Sequence, residues 1–337
     1  MNIYGLTRND LEFFLENNGL KKSRAVLIIE QIYQNRTITF DKMDFLKAEE
    51  AQFLKQKLRF EKLRAVDVRE DESVCKILFE LSDKNKIETV IMKHNYGNAV
   101  CISTQIGCNM GCVFCESGRL KKVRNLEPHE MVLQLLCAEE LSGLKISNVV
   151  LMGIGEPFDN YDNVIKFIDI ITDQKGLDIG SRHITVSTSG IVPRLLEFIK
   201  RPYPNNIAIS LHAPTDEIRD KIMPVNKKYN LSALMGAVNE YSKLIKKKIT
   251  FEYIMIKGVN DSEENARRLA ELLKGIHCYV NLIPYNETSH IGYKKSEKEQ
   301  MERFYAVLKE NGIRVTTRRE FGSSVKAACG QLRAEHE

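Results

Sequence analysis

Two hydrophobic periods divide the first third of the chain. Over 1–64, apolar positions such as Leu11, Ile28 and Ile32 recur at helical spacing among Lys, Arg and Glu, which predicts a small helical appendage. Over 65–93 the period changes toward two, which is typical of antiparallel strands. We therefore expect a helical domain followed by a short antiparallel extension.

From residue 94 onward, short β-rich runs alternate with longer amphipathic runs. Strict alternation of this kind predicts parallel strands joined by crossover helices. We predict the α/β class, with a partial (β/α)6 barrel of the TIM type over 94–322 and a tail over 323–337. The strand candidates are 100–103, 148–152, 183–187, 206–211, 250–256, 278–283 and 313–317, and the helix candidates are 127–141, 162–171, 231–245, 262–273 and 296–309.

Polar, small or metal-binding residues recur directly after the strand candidates. Parallel barrels carry their chemistry at the carboxyl ends of the strands, so we expect these groups to share one end of the barrel. Glycines in such a place let a ligand approach the backbone closely. In chain order the groups are Cys108, Cys112 and Cys115, then Gly153, Gly155 and Glu156, then Ser187, then Ser210, Leu211 and His212, and finally Asn286.

The three cysteines have the spacing Cys-x-x-x-Cys-x-x-Cys, with an aromatic residue, Phe114, before the last. A four-iron cluster normally takes four cysteines, so three thiolates would leave one iron without a protein ligand. Structural zinc is the alternative, but it usually needs four ligands in two pairs, and the sequence has no second cysteine pair of this kind. The spacing therefore favours an iron-sulfur site over zinc with a distant ligand.

Composition sets looser bounds on function. The chain has 337 residues, 43% hydrophobic and 28% charged, as in an ordinary globular protein. Its net charge of +5 favours polyanionic partners only weakly. We find no apolar run near the roughly 18 residues of a membrane span and no signal-peptide layout, so we expect a cytoplasmic protein that does not enter membranes. Eight cysteines in such a chain indicate metal or redox chemistry rather than structural disulfides.

Two further cysteines have open roles at this point. Cys329 lies in a small-residue stretch, which suits an accessible nucleophile, although an incidental tail cysteine is the plainer interpretation. Cys101 ends the first barrel strand, where a core role or a fourth-ligand role is equally defensible. If the tail folds over the barrel mouth, these thiols could form a transient disulfide. The local sequence around Glu88 predicts only an exposed strand residue.

Basic residues cluster near the predicted barrel mouth. Arg119, Lys121, Lys122 and Arg124 follow the three cysteines, Lys227 and Lys228 follow the fourth strand unit, and Arg318 and Arg319 precede Cys329. A rim of positive charge would fit a folded RNA better than a small metabolite. Cys75, Cys137 and Cys278 stand in apolar surroundings, which predicts inert core thiols.

Taken together, the motifs resemble the RlmN type of radical S-adenosylmethionine (SAM) enzymes, which methylate adenine carbon 2 in 23S rRNA and in tRNA. The resemblance covers nearly the whole chain and is strongest between Glu88 and Leu332. The matching stretches are 87–90, 100–105, 108–115, 124–126, 152–157, 184–190, 210–214, 281–284 and 327–332.

The resemblance implies a radical SAM barrel with one [4Fe-4S] cluster per chain and two SAM molecules per turnover. Cys329 would carry a methyl group, Glu88 would accept the ring proton, and Cys101 would release the product by forming a disulfide with Cys329. The residues implied to bind the cluster are Cys108, Cys112 and Cys115, and those implied to bind SAM are Gly155, Glu156, Ser187, Ser210, Leu211, His212 and Asn286.

The resemblance also implies partners and leaves alternatives. It implies a monomer that acts on 23S rRNA and tRNA and receives electrons from a donor such as flavodoxin or ferredoxin. The related Cfr type methylates adenine carbon 8 and confers antibiotic resistance, but the carbon 2 group is favoured by Pro157, the run 188–190, Ala213 and Pro284. A zinc-bearing RNA-binding protein and a radical SAM enzyme with a small-molecule substrate are the competing hypotheses.

Some positions depart from the family pattern. Where the family more often has a small residue and a Gly-Phe pair, the chain has a charged stretch that includes Glu116, Lys121 and Lys122. Lys326 reverses a charge close to Cys329. These departures bear on substrate choice and tail position rather than on the cluster.

Overall fold

A ten-stranded mixed sheet forms the centre of the computed structural model, which describes residues 1–95, 97–119, 121–202, 205–287 and 291–318. A separate two-stranded sheet lies beside it. The strands are β1 (Arg64–Glu70), β2 (Val74–Glu80), β3 (Lys86–Met92), β4 (Asn98–Cys101), β5 (Gln105–Ile106), β6 (Arg124–Asn125), β7 (Ile146–Leu151), β8 (Ile184–Thr188), β9 (Asn206–Ser210), β10 (Ile249–Met255), β11 (Cys278–Pro284) and β12 (Val315–Thr317).

The large sheet has the order β1-β2-β3-β4-β7-β8-β9-β10-β11-β12. Strands β1 to β4 pair antiparallel, and every later pair is parallel. The predicted α/β class with an antiparallel extension is confirmed, and each of the seven strand candidates matches one strand. Because the last candidate adds a three-residue strand at the edge, the parallel part has seven strands rather than the expected six.

Helices follow most of the parallel strands, as the alternation predicts. The α-helices are α1 (Arg8–Asn17), α2 (Arg24–Tyr33), α3 (Ala48–Lys57), α4 (Glu116–Arg119), α5 (Pro128–Ser142), α6 (Tyr161–Ile171), α7 (Val192–Phe198), α8 (Asp216–Ile222), α9 (Leu231–Ile245), α10 (Glu263–Leu272) and α11 (Lys298–Glu310). The helices α4, α7 and α8 were not predicted, because helices of four to seven residues are too short to show a helical period.

The helices α1 to α3 pack on the sheet domain through a shared core. Their buried side chains, such as Ile28 and Leu54, belong to the same apolar cluster as Val149 and Phe251 of the sheet. The expected core thiols Cys75, Cys137 and Cys278 are buried. Within the described ranges, no helix combines the length and apolar character that a membrane crossing requires.

The loop after β7 is joined to the segment after β4 by close backbone contacts. The Gly153 amide donates to the Ile102 carbonyl (3.1 Å), and the Thr104 amide donates to the Ile154 carbonyl (2.8 Å). A Cβ atom on Gly153 would lie 2.7 Å from backbone atoms of Ile102 and Ser103. The glycine is therefore required by the approach of another backbone segment.

We expect Gly153→Ala to lower the free energy of unfolding by about 2 kcal/mol or more, because the added methyl group must displace backbone. Gly236→Ala is the matched control, since Gly236 lies in α9 and its Cβ would enter open space. That change should stabilise the protein by up to about 1 kcal/mol. Urea unfolding followed by far-ultraviolet circular dichroism suits a chain without tryptophan. Equal unfolding midpoints for the two variants would contradict this account.

Candidate active site

The three-cysteine loop is closed at its base by the small sheet. Strands β5 and β6 pair antiparallel and bring together the two ends of the loop. Inside it, the Cys115 amide donates to the Cys112 carbonyl at 3.1 Å. A Cβ atom on Gly118 would lie 2.7 Å from that same carbonyl oxygen, so the turn into α4 is tightly packed. The three cysteines are thereby held in one compact loop.

The three thiols share one electrostatic environment. Burial raises the pKa of Cys108 to about 12, and it also raises the pKa values of Cys112 and Cys115. Cys112 interacts with both other thiols, so each negative charge in the loop makes the next less favourable. Three thiolates at this place therefore need a compensating positive charge, which a metal cofactor supplies.

The three thiols fit an iron-sulfur cluster as donors. In the part of the chain that the structure describes, no three His, Cys, Asp or Glu side chains converge as they would around one metal ion. A four-iron cluster does not need such convergence, because each cysteine binds a different iron. Three neighbouring thiols in one loop are a suitable donor set for it.

The three-cysteine loop packs against the segment that follows β9. The Val113 amide donates to the Ile222 carbonyl of α8 at 3.0 Å. The Phe114 ring stands edge-on to the His212 ring, with 4.9 Å between centroids. Phe114 is the aromatic residue before the last cysteine, so the loop contacts one of the predicted SAM residues directly.

Glu156 is buried and connects two strand ends. Its carboxylate accepts hydrogen bonds from the Phe158 amide (3.1 Å) and from the Ser189 amide after β8 (2.8 Å). Burial raises the pKa of this carboxyl group, whereas the hydrogen bonds lower it. The Glu156 amide donates to Gln105 Oε1 at 2.9 Å, which ties the same loop to β5.

Gly155 adopts a φ of +107°, and a Cβ atom there would lie 2.6 Å from the Gln105 side chain. The sequence analysis expected the glycines after β7 to admit a ligand close to the backbone. In the structure, the chain itself makes that close approach at Gly153 and Gly155. A SAM contact at Gly155 stays a prediction.

His212 follows β9 in a left-handed backbone conformation, with a φ of +59°. Its Nδ1 accepts a hydrogen bond from the Ile254 amide at 3.0 Å. Burial, with a smaller effect from Arg219, lowers the pKa of His212 to about 3, so the ring is neutral near pH 7. Because Nδ1 is an acceptor, the proton lies on Nε2, which is a hydrogen-bond donor of fixed position.

The remaining predicted SAM residues lie at or beyond the strand ends. Ser187 and Leu211 are buried, Ser210 is partly buried, and Asn286 is exposed after β11. Ser187 is in β8, Ser210 ends β9, and Leu211 follows it. These residues therefore share the carboxyl end of the parallel sheet with the cysteine loop, as expected.

Arg219 is a component of the site that sequence analysis missed. Its side chain is fully buried and donates to the carbonyls of Ser189 (2.7 Å), Leu211 (3.0 Å) and Ser210 (3.2 Å). It also donates to Asn226 Oδ1 at 2.8 Å. Burial lowers the pKa of Arg219 to about 10, and the interaction with Cys112 raises it. One guanidinium thus joins the ends of β8 and β9 close to Cys112 of the three-cysteine loop.

Glu88 lies deeper in the molecule than the sequence suggested. The expectation of an exposed strand residue was wrong, because Glu88 is only 2% exposed and pairs with the buried Lys76, with 3.1 Å from Nζ to Oε2. Cys101 is partly buried, and its thiol interacts electrostatically with both side chains. Cys329 and Lys326 lie outside the described residues.

Part of the predicted basic rim is engaged in ion pairs. Lys122 contacts Asp159 at 2.8 Å, and Arg124 binds Glu130 with two hydrogen bonds of 2.7 Å. Arg119 pairs with Glu116 at 3.0 Å, which gives the buried Glu116 a structural role. Lys121, Lys227, Lys228 and Arg318 of the rim are exposed. The charge argument for an RNA partner therefore rests on these exposed residues rather than on the paired ones.

Comparison with known proteins agrees with the fold and the cysteine loop. The profile of the Radical SAM superfamily matches residues 102–270. A crystal structure of a radical SAM methyltransferase from Sphaerobacter thermophilus superposes with a TM-score of 0.92 at 37% identity, covering 98% of both chains. The protein is thus of the radical SAM class, which implies a four-iron cluster and SAM as cofactors.

The chain belongs to the RlmN family of that class. A probable dual-specificity RNA methyltransferase RlmN from Acholeplasma laidlawii is 46% identical over the full length of both chains. Another from Listeria monocytogenes is 48% identical over 343 residues, which cover 99% of this chain and 93% of the relative.

We expect Arg219→Met to lower the free energy of unfolding of the iron-free protein by about 3 kcal/mol or more, because several buried oxygens lose their donor. Arg268→Met is the control, since Arg268 is an exposed helical residue paired with Glu264. It should change stability by no more than about 0.5 kcal/mol. The same urea titration measures both. A loss below 1 kcal/mol (about one unpaired acceptor) for Arg219→Met would contradict the assigned role.

We expect Cys108→Ala, Cys112→Ala or Cys115→Ala to abolish the cluster, because two thiolates cannot hold it stably. Cys278→Ala, which changes a buried thiol in β11, should retain wild-type iron. The measurement is iron, sulfide and zinc per chain after anaerobic reconstitution. Zinc without iron in the wild-type protein would instead favour the structural-zinc hypothesis.

Proposed function

We propose that this protein is a radical SAM methyltransferase that methylates carbon 2 of a specific adenosine in the peptidyl transferase centre of 23S rRNA and of the adenosine 3′ to the anticodon in some tRNAs. The full-length similarity to RlmN proteins carries the proposal, because those relatives are named as dual-specificity RNA methyltransferases. The three-cysteine loop and the buried Glu88 support it from the structure.

In this proposal, Cys108, Cys112 and Cys115 hold the cluster, and its fourth iron is left to SAM. When SAM is bound at that iron, the cluster would supply the electron that cleaves SAM to a 5′-deoxyadenosyl radical. The residues that hold SAM in this proposal are Gly155, Glu156, Ser187, Ser210, Leu211, His212 and Asn286. The neutral His212 offers its Nε2 proton as a donor, and the Arg219 contacts keep the ends of β8 and β9 in fixed positions.

A second reactive centre carries the methyl group. The Cys329 thiolate would take a methyl group from one SAM by displacement, and a second SAM would supply the radical that removes a hydrogen atom from that S-methyl group. The resulting methylene radical adds to the adenine ring. This detour has a chemical reason, because an aromatic C–H carbon is too poor a nucleophile to attack a sulfonium ion directly.

Release of the product needs Glu88 and Cys101. The adduct would give up its ring proton to Glu88 and return one electron to the cluster, which balances the electron that the cluster supplied at the start. The Cys101 thiolate then attacks the Cys329 sulfur, so that a disulfide forms as the bond from sulfur to methylene breaks. The carbon keeps the electron pair of that bond and takes up a proton to become the methyl group.

The substrate and partners follow from the same proposal. The target adenine must leave its stack to reach the barrel interior, which restricts the enzyme to loops and strained junctions of RNA. We propose a monomer that works in the cytoplasm and receives electrons from flavodoxin or ferredoxin.

We expect Cys329→Ala to abolish RNA methylation while iron content and SAM binding stay at wild-type levels, because Cys329 is a methyl carrier and not a cluster ligand. Cys137→Ala, a change at a buried thiol of α5, is the control and should retain activity. Mass spectrometry of adenosines from treated RNA measures the product and distinguishes carbon 2 from carbon 8. Turnover by Cys329→Ala would refute the mechanism, and methylation at carbon 8 would assign the Cfr-type activity instead.

A further inference from the structure

The strand register places three ionisable side chains on the same face of the sheet. Lys76 of β2 pairs with Val90 of β3, and Val90 pairs with Cys101 of β4. Directly paired residues project from the same face of a sheet, and so do residues two positions apart on one strand. Lys76, Glu88 and Cys101 therefore share one face, whereas Ile77 and Ile87 face the apolar core on the other side.

The Lys76–Glu88 pair is out of contact with solvent. Lys76 is 0% exposed and Glu88 is 2% exposed, at a separation of 3.1 Å. Moving two charges out of water costs several kcal/mol, and well-packed apolar residues often stabilise a fold equally well or better. Stability therefore gives little reason for this pair, and a chemical role accounts for it better.

Cys101 is the nearby group that the pair affects. Burial raises the pKa of the Cys101 thiol to about 11. Within that net value, Arg318 after β12, a hydrogen bond from the Met152 backbone after β7 and Lys76 of β2 lower the pKa, and Glu88 of β3 raises it. The two members of the ion pair thus act on this thiol in opposite directions.

We propose that Lys76 is a positioning residue that couples proton uptake by Glu88 to the activation of Cys101. The inference rests on the proposed function, which gives Glu88 and Cys101 their roles. When the adenine C–H bond breaks, its proton passes to a carboxylate oxygen of Glu88 and its electron pair stays in the ring. Glu88 then loses its negative charge while the positive charge of Lys76 remains. The electrostatic potential at Cys101 becomes more positive, which favours its thiolate form.

The direct test is the reactivity of Cys101 in the reconstituted protein. A Cys329→Ala background prevents a disulfide between the two thiols, and peptide mass spectrometry follows alkylation of Cys101 by iodoacetamide over roughly pH 7–11. Glu88→Gln imitates the proton-loaded carboxyl group and should speed alkylation at pH 8 about three- to tenfold. Lys76→Met should slow it by a similar factor, and Lys76→Arg should stay within about twofold of the background.

Lys93→Met is the matched control. Lys93 directly follows β3 and pairs at 2.6 Å with the exposed Glu70 at the end of β1, so it is a paired lysine at the same sheet that does not contact Glu88. It should leave Cys101 reactivity unchanged. If Lys76→Met does not fold, Lys76→Gln removes the same charge and takes its place in the comparison.

Turnover gives a second readout with Cys329 present. Lys76→Met should form S-methylcysteine at the wild-type rate but accumulate a covalent protein–RNA adduct, visible on denaturing gels, because release is slow. Equal Cys101 alkylation in all variants, or Lys76→Arg as slow as Lys76→Met, would overturn the coupling. Wild-type protein that forms neither S-methylcysteine nor adduct would refute the proposed function instead.

Discussion

Three thiols in one compact loop impose the constraint on which the rest of the site depends. Burial raises the pKa of each, and the thiols oppose each other's ionisation, so the loop cannot carry three negative charges without a positive centre. The iron-sulfur cluster that the radical SAM class implies would provide that centre. The surrounding elements fix this loop in place. The small β5–β6 sheet joins its two ends, and α8 accepts a hydrogen bond from the Val113 amide within it.

Buried polar side chains, rather than the apolar core, fix the loops around the cysteines. Glu156 accepts from the backbone beyond β8, Arg219 donates to carbonyls at the ends of β8 and β9, and Asn260 donates to the His212 carbonyl at 2.8 Å. Each replaces the hydrogen bonds that a strand loses where it ends. The strand ends can therefore present ligand-binding groups in fixed positions.

Much of the fold follows from local pattern, but the site only partly does. The strands, the long helices and the cysteine loop are visible in the sequence because period and spacing are local properties. The burial of Glu88 is not, because its partner Lys76 lies on another strand and meets it only through the sheet register. Arg219 was missed for a similar reason: a lone arginine in a seven-residue helix gives no sign of the carbonyls it reaches. The roles of Cys329 and of the SAM residues rest on resemblance.

The most direct test of the account is whether SAM binds the open iron of a three-cysteine cluster. Electron–nuclear double resonance on the reduced protein, with nitrogen-15 in the SAM amino group and oxygen-17 in its carboxylate, measures that contact. We expect hyperfine coupling from both labels. A reduced cluster that shows neither coupling in the presence of saturating SAM would contradict the central claim.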